Sequence, residues 1–581
     1  MPRVLISDKL SPAAVAIFRE RGIEADVKTG LTPAELRAII GEYDGLAVRS
    51  ATKVTREVLE VAPRLKVVGR AGIGVDNVDV TSATARGVVV MNTPFGNAIT
   101  TAEHAIAMMF ALARQLPEAS ASTKAGKWEK NRFMGVELFA KTLGLIGCGN
   151  IGGIVADRAN GLKMKVIAFD PFLSEKRAVE IGVEKVELPE LLARADFITL
   201  HAPMTEQTRN ILSRENIARM KKGARLINCA RGGLVDEVAL AEALQSGHLA
   251  GAALDVFEVE PATDSPLFAL ENVVCTPHLG AATNEAQENV ALQVAEQMSD
   301  FLLTGAVSNA INMPSVTAEE APRLKPYMEL ARLLGSMAGQ LSAGQDDAIK
   351  AIRIEYEGHA AELNRRPLTA AALAGVLTPQ MGAVNMVNAP VLAKERGIDV
   401  AETIMERRGE YQTLLTITVT TNQGQRSIAG TLLAENKPRL VAIKGIAVEA
   451  DFAPHMLYVT NQDKPGFIGR FGTALAEAGI NIGTLHLGRA APGGDAICLV
   501  GLDGPMPEAV LAEVRRLPLV VRAKMVSTWP KSRAGSMARS SAAPSISAAT
   551  PASSSRLVRK SLAPALPKAC QVAMAQRCTV A

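Results

Sequence analysis

Residues 142 to 161 read TLGLIGCGNIGGIVADRANG: a strand-like apolar run, a G-x-G-x-x-G turn at Gly147, Gly149 and Gly152, then apolar residues at helical spacing. Few folds accept that order. The first glycine permits a tight turn, the second lets a pyrophosphate approach the backbone, and the third lets helix and strand close on each other. The helix start then offers unpaired N–H groups to an anion. An acid, Asp170, follows at the end of MKVIAFD, 21 residues after Gly149, where a carboxylate can accept from both ribose hydroxyls. The pattern predicts a Rossmann-type, doubly wound α/β domain holding a dinucleotide. A carboxylate there repels a 2′-phosphate, and the nearest following bases, Lys176 and Arg177, lie several positions on, so NAD is expected rather than NADP.

At 581 residues the chain is too long for one core, which suggests several domains. No long uncharged apolar run occurs and the start, MPRVLISDKLSP, has no signal-peptide pattern. A soluble, cytoplasmic protein without a membrane partner is expected. The six cysteines show no C-x-x-C and no metal-ligand spacing with histidine, so reduced thiols and no metal site are expected. The net charge of +4 misleads, because eight Lys and Arg and no acid fall within 531–581, leaving −4 over the rest. The basic balance therefore does not argue for a nucleic-acid partner.

Residues 1–97 alternate strand-like and helix-like stretches, from RVLISD through LKVVGRAG, as a small α/β unit. The alternation resumes from Lys141 to Pro277 with six strand candidates, TLGLIG, KVIAFD, ADFITLH, ARLINCA, HLAGAALDV and NVVCTP. The amphipathic segment 284–305 is long enough to cross back and close the first unit. The resulting division is 1–97 with 285–310, then 98–284, 311–448, 455–528, and a tail at 530–581. The third unit mixes a helix-like YMELARLLGSMAGQL with strands and a turn, TNQGQRS, and holds no cluster assignable to chemistry. The fourth runs strand, helix, strand, strand, helix, strand, a ferredoxin-like order. The Ser, Ala, Pro and Arg-rich tail is expected to be disordered.

Three polar residues follow strand candidates of the nucleotide unit: Arg231 in INCARGGLVDE, Glu260 in LDVFEVEP and His278 in VVCTPHLGAAT. In a doubly wound sheet the carboxyl ends of the strands form the ligand crevice, so all three can reach one site. Oxidising an alcohol by hydride loss needs a base for the hydroxyl proton, a histidine role near neutral pH. Glu260 would stabilise the imidazolium, and Arg231 offers a planar fork to a carboxylate or carbonyl oxygen. Taken singly, each also fits a structural role, a cap, a surface acid or a helix-end cation; their shared place at strand ends favours chemistry.

GCGNIG with Asp170, NCARGG, DVFEVEP and TPHLGAAT resemble the signatures of the D-isomer-specific 2-hydroxyacid dehydrogenases, and the resemblance extends from residue 1 to about 529, as in long forms of that family. It implies a catalytic set of Arg231, Glu260 and His278. It also implies cofactor contacts at Asn150, Ile151, Asp170, Ala202, Pro203, Cys229, Ala230, Asp255, Gly280 and Ala281, and a flavodoxin-like first domain. Ala202 stands where the family commonly has threonine. Substrate contacts are implied at Arg49, Ser50, Arg70, Gly74 and Asn97, segments similar to those that hold the carboxylate and phosphate of 3-phosphoglycerate. Arg132 is a further candidate that would act from a neighbouring subunit. The unit at 455–528 resembles an ACT module, with Asn461, Asp463 and Asn481 as contacts for an amino-acid effector, L-serine, bound between paired modules. The segment 311–448 resembles the family's intervening regulatory domain.

The resemblance thus implies NAD-dependent oxidation of D-3-phosphoglycerate to 3-phosphooxypyruvate, the first step of L-serine synthesis, with a side reduction of 2-oxoglutarate and association into a homodimer or homotetramer. Two alternatives stand beside it: a dehydrogenase of another D-2-hydroxy acid such as glycerate or lactate, and a dinucleotide-sensing corepressor that keeps the fold for protein binding.

Overall fold

Short apolar runs in the first hundred residues become five parallel strands, β1 (Arg3–Ile6), β2 (Glu24–Val27), β3 (Gly45–Val48), β4 (Val67–Arg70) and β5 (Val89–Met91), in the order β2-β1-β3-β4-β5. That is the flavodoxin-like order. The computed structural model describes residues 1–317, 319–342, 348–405 and 410–528; the tail expected to be disordered lies outside them. The helix Asn284–Thr304 crosses back onto this sheet, burying Val290, Ala291, Val294, Ala295 and Met298. Gly69 on β4 makes room for it, since a Cβ there would meet Met298 Sδ at 2.2 Å. Thr283 caps the helix start by accepting from Ala286 N–H, and Gly305, at φ 80°, ends it.

The second sheet holds β6 (Thr142–Ile146), β7 (Lys165–Phe169), β8 (Glu184–Lys185), β9 (Phe197–Leu200), β10 (Arg225–Asn228), β11 (Gly251–Leu254) and β12 (Val273–Cys275), all parallel, ordered β12-β11-β10-β9-β6-β7-β8. The order reverses between β6 and β9, the switch point at which such sheets bind ligands. Six strands were expected and seven are present. The extra one, β8, is two residues long and pairs Glu184 with Ile167, too short and too polar to leave a periodic signal. The helix Ala98–Arg114 packs over β10 and β11 and against the helix Asn150–Gly161.

The third sheet comprises β13 (Ile349–Gly358), β14 (Asp399–Met405), β15 (Thr413–Thr421), β16 (Gly424–Leu433), β17 (Lys437–Ile443) and β18 (Ile446–Asp451), ordered β14-β13-β15-β16-β17-β18. Only β13 and β14 are parallel there. The fourth sheet is antiparallel, β19 (His455–Gln462), β20 (Ile482–Arg489), β21 (Asp495–Leu502) and β22 (Val520–Ser527), ordered β20-β21-β19-β22. With helices Phe467–Glu477 and Glu508–Arg516 it has the expected ferredoxin-like order.

Two connections were not foreseen. Met456, Tyr458, Ile497, Leu499 and Val526 of the fourth sheet lie in the same apolar core as the third sheet and its helices. Val387, from the third unit, is buried in the core of the first. Beside it Asn385 Nδ2 donates to Gly87 O at 2.8 Å and Asn388 Nδ2 to Ala85 O at 3.3 Å. Among the described residues no helix is long and apolar enough to cross a membrane, and no cluster of His, Cys, Asp and Glu could hold a metal ion.

Candidate active site

The glycine turn has the shape its sequence requires. Gly147 stands at φ 92°, and a Cβ on Gly152 would lie 2.3 Å from Gly147 O, whereas nothing lies within 4 Å of the Cβ position at Gly149. Gly149 precedes the helix Asn150–Gly161 without any side-chain cap, so the first N–H groups, those of Asn150 and half-buried Ile151 included, remain for an anion. At the end of β7, Asp170 Oδ2 accepts from Cys148 N–H and Oδ1 from Phe172 N–H, both at 2.8 Å. The carboxylate is thereby fixed at the crevice with lone pairs left for ribose hydroxyls. These features fit NAD.

Ala202 and Pro203 follow β9 beside the turn. His201, which no motif marks, lies beneath them; burial pushes its imidazole down to about 4, so it is neutral. Its Nε2 pairs with Thr199 Oγ1 at 3.0 Å and its buried Nδ1 has no partner. Burial pushes the Cys148 thiol up to about 11 and that of Cys229 higher still, so both are inert thiols under this surface.

After β10, Asn228 makes the turn that presents Arg231: its Oδ1 accepts from Ala230 N–H at 3.1 Å and its Nδ2 donates to Arg231 O at 2.9 Å. Arg231 Nε donates to Asp76 Oδ2 at 2.9 Å and Nη1 to Ala230 O at 2.6 Å. After β11 comes Asp255, fully buried. Its Oδ1 accepts from Thr276 Oγ1 and Leu279 N–H, each at 2.6 Å, and its Oδ2 from Gly280 N–H at 2.8 Å, while its carbonyl takes His278 N–H at 2.9 Å. His104 Nε2 lies 3.3 Å from Oδ1. Burial alone would raise the Asp255 carboxyl, but hydrogen bonds from His104, Thr276 and Leu279 hold it below the usual range. Asp255 is therefore the peg on which the 276–280 loop hangs, with Ala281 just beyond.

That loop holds His278 at φ 55° and brings its Nδ1 to 2.7 Å from Glu260 Oε2. Glu260 Oε1 accepts from Phe257 N–H at 3.1 Å, which fixes the carboxylate. Nδ1 is thus the protonated nitrogen, and Nε2 is left to act on a ligand. Arg231, Glu260 and His278 all stand just past carboxyl ends of adjacent strands.

Across the crevice, Asp8 Oδ2 accepts from Arg49 N–H at 2.6 Å and Asn77 Nδ2 donates to Arg49 O at 2.7 Å, so the turn carrying Arg49 and exposed Ser50 is pinned from both sides. Arg70 closes β4; burial, and then the neighbouring Arg231, push its guanidinium down to about 10. Its Nη1 reaches Ala71 O at 3.3 Å, yet its buried Nε has no partner. Asn97, before the helix Ala98–Arg114, likewise has a buried, unpartnered Oδ1. Crowded cations and the unpartnered Arg70 Nε–H suit an anionic, oxygen-rich ligand, while the Asn97 Oδ1 can accept from a ligand hydroxyl. Gly74 lies directly under Arg231. Arg132 stands apart, paired with Glu129 and Glu271 at the surface.

In the fourth sheet the three effector candidates do not converge within one chain. Asn461 pairs with Ala496 of β21, whereas Asn481 precedes Ile482, which pairs with Leu502. Six residues of strand separate the two, about 20 Å. Asn481 Nδ2 donates to Asp503 Oδ2 at 2.7 Å; Asp463 Oδ2 accepts from Arg489 Nη1 and Gly493 N–H, each at 3.0 Å. Asn461 is buried with its Oδ1 unpartnered. A separation of that size agrees with the expectation that the effector lies between paired modules rather than within one.

Comparison with known proteins accords with this layout. Residues 106–280 match the D-isomer specific 2-hydroxyacid dehydrogenase NAD binding domain, 323–444 the D-3-phosphoglycerate dehydrogenase intervening domain, and 455–519 the ACT domain. The chain is 44% identical over 519 residues to the D-3-phosphoglycerate dehydrogenase of Synechocystis sp., covering 89% of this chain and 93% of that one. It is 43% identical over 529 residues to the Bacillus subtilis D-3-phosphoglycerate dehydrogenase, with 90% and 99% covered. Among solved structures, a glyoxylate reductase from Paecilomyes thermophila is 28% identical at a TM-score of 0.51, covering 53% of this chain and 98% of that one. A protein from Thermus thermophilus is 38% identical at a TM-score of 0.50, with 53% and 99% covered.

Proposed function

This chain belongs to the D-isomer-specific 2-hydroxyacid dehydrogenase family, among its long D-3-phosphoglycerate dehydrogenases, and from that premise we propose that it oxidises D-3-phosphoglycerate to 3-phosphooxypyruvate with NAD. The proposal includes the division into 1–97 with 285–310, 98–284, 311–448 and 455–528. Bound NAD supplies the hydride acceptor at its nicotinamide ring. His278 Nε2 takes the hydroxyl proton, and Glu260, 2.7 Å from Nδ1, steadies the imidazolium that results. Arg231 holds the carboxylate and the developing carbonyl oxygen, while Arg49 and Arg70 take the remaining anionic charge.

The observation that carries this reading is the His278 and Glu260 pair past strand ends of the nucleotide sheet, together with three neighbouring arginines at the strand ends of both sheets. Purified protein with NAD and D-3-phosphoglycerate should form NADH, and His278→Ala should lose about 10²–10⁴-fold of that rate. Turnover with glycerate but not with the phosphorylated acid would overturn the substrate, and undiminished turnover in His278→Ala would overturn the site.

The ACT domain supports an amino-acid effector, and we propose L-serine bound between two chains at Asn461 and Asp463 of one and Asn481 of the other. A buried amide oxygen without a partner and a separation of about 20 Å within one chain favour that arrangement. Association as a homodimer or homotetramer is part of the same proposal. Phe95, Ile99, Phe110, Leu116, Trp128, Met134 and Phe139 stand exposed within residues 95–139, and Arg132 lies in that stretch, where it can serve a neighbour's crevice.

A further inference from the structure

Arg231 is held from the opposite side of the crevice. Its partner, Asp76, sits in the loop after β4, in the sheet that carries Arg49 and Arg70, whereas Arg231 follows β10 of the nucleotide sheet. The pair therefore bridges two sheets. The backbone is shaped to admit it: a Cβ on Gly74 would lie 1.6 Å from Arg231 Nη2 and 2.7 Å from Asp76 Oδ2, so any other residue there would push the pair apart. Asn77, the residue after Asp76, fixes the loop by donating to Arg49 O at 2.7 Å and Thr52 O at 2.6 Å.

Asp76 differs from the other carboxylate near the three arginines. Asp8 is buried and spends its oxygens on Arg49 N–H, Thr52 N–H and the Thr52 hydroxyl. Asp76 is 64% exposed along its side chain, so burial does not dictate its place, and an exposed pair of this kind adds little to stability by itself. What the pair does is geometric. A guanidinium has five N–H donors; with Nε committed to Asp76 and one N–H of Nη1 to Ala230 O, the free donors are those at Nη2, over Gly74, and the second at Nη1.

We propose that Asp76 is the positioning residue for Arg231, fixing its guanidinium from across the crevice so that Nη2 is presented over Gly74 to the substrate's carboxylate. The inference rests on the reading of Arg231 as a substrate-binding residue. It also ties that presentation to the approach of the two sheets, because the residue that aims Arg231 belongs to the opposite wall.

Steady-state kinetics with NAD and D-3-phosphoglycerate on wild type, Asp76→Ala, Asp76→Asn, Arg231→Lys and the Asp76→Ala, Arg231→Lys double variant test it. Asp76→Ala should lose about ten- to hundredfold in kcat/KM, the size of effect that misplacing a positioned group brings. Asp76→Asn, which keeps an acceptor oxygen, should lose less, and NADH affinity measured by fluorescence should not change. Adding Asp76→Ala to Arg231→Lys should cost little more, since lysine has no Nε to hold. Unchanged kcat/KM in Asp76→Ala overturns the proposal, as does an equal loss in the Arg231→Lys background. A lower KM at constant kcat also overturns it, marking Asp76 as a competitor for Arg231. Wild-type kinetics in Arg231→Lys would instead bring down the reading of Arg231 itself. Should Asp76→Ala fail to fold, Asp76→Ser takes its place in the same cycle.

Discussion

The crevice between the first two sheets and the face of the fourth sheet handle polar groups in opposite ways. In the crevice one chain supplies a finished arrangement: Asp255 holds the His278 loop through three backbone N–H or carbonyl bonds, Glu260 holds His278, and Asp76 holds Arg231. In the fourth sheet the candidate contacts lie far apart, with about 20 Å of strand between Asn461 and Asn481. Chemistry depends on preorganisation and gains from a site complete before the substrate arrives. A sensor gains from incompleteness, because a ligand that finishes a site between two chains also changes how they sit.

The sharpest way to break that contrast is to unmake the preorganised half. Asp255→Ala strands the N–H groups of Leu279 and Gly280 and the Thr276 hydroxyl, each a loss of about 1–3 kcal/mol when buried. It should cut kcat/KM about 10²-fold and lower the thermal midpoint, measured by calorimetry. The same carboxyl carries a pH signature. Its folded value is held below the ordinary one, so the stability it adds is full above the unfolded value of about 3.9 and is lost as pH falls through the folded value. Acid titration of the wild type should show that loss, and Asp255→Asn should show a flatter acid limb.

A smaller effect is expected at Asp170, whose carboxylate is pinned by two backbone N–H groups and is proposed to accept from the ribose hydroxyls of NAD. Asp170→Ala should raise KM for NAD about tenfold, the worth of a charge-assisted hydrogen bond, and narrow the margin over NADP. Unchanged cofactor kinetics would mean that the dinucleotide is held elsewhere. Smaller still, Asn481→Ala should weaken inhibition by L-serine about fivefold, the worth of one hydrogen bond of about 1 kcal/mol, without changing kcat. Mixing Asn461→Ala chains with Asn481→Ala chains in one oligomer should restore part of the serine response, because one intact site forms between unlike chains. No recovery on mixing would place the effector within a single chain and erase the contrast.

The glycine turn, Asp170 and the residues at strand ends were legible because the signals are local: a strand, a turn and a helix in adjacent residues, and polar groups just past apolar runs. The partnerships were not. Asp76 and Arg231 are 155 residues apart, and nothing in VDNVD or NCARGG says that they meet. His104 and His201 carry no local signal, because each sits in an apolar stretch that reads as core, although His201 lies half-buried beside the glycine turn. The core shared by the third and fourth sheets was also hidden, since amphipathic strands disclose which side is buried but not what covers it.

Val387 gives the intervening segment a second address. Its side chain fills a place in the core of the first unit, so the segment cannot be treated as a detachable cassette. A truncation that ends at residue 317 deletes the intervening and ACT domains and also opens a hole beside Ala85 and Gly87, where Asn388 and Asn385 no longer cap the carbonyls. Loss of a buried valine costs about 1–3 kcal/mol, enough to make a shortened enzyme fragile for reasons unrelated to regulation. Shortened versions of this protein therefore need the first unit repaired at that spot before their kinetics say anything about control.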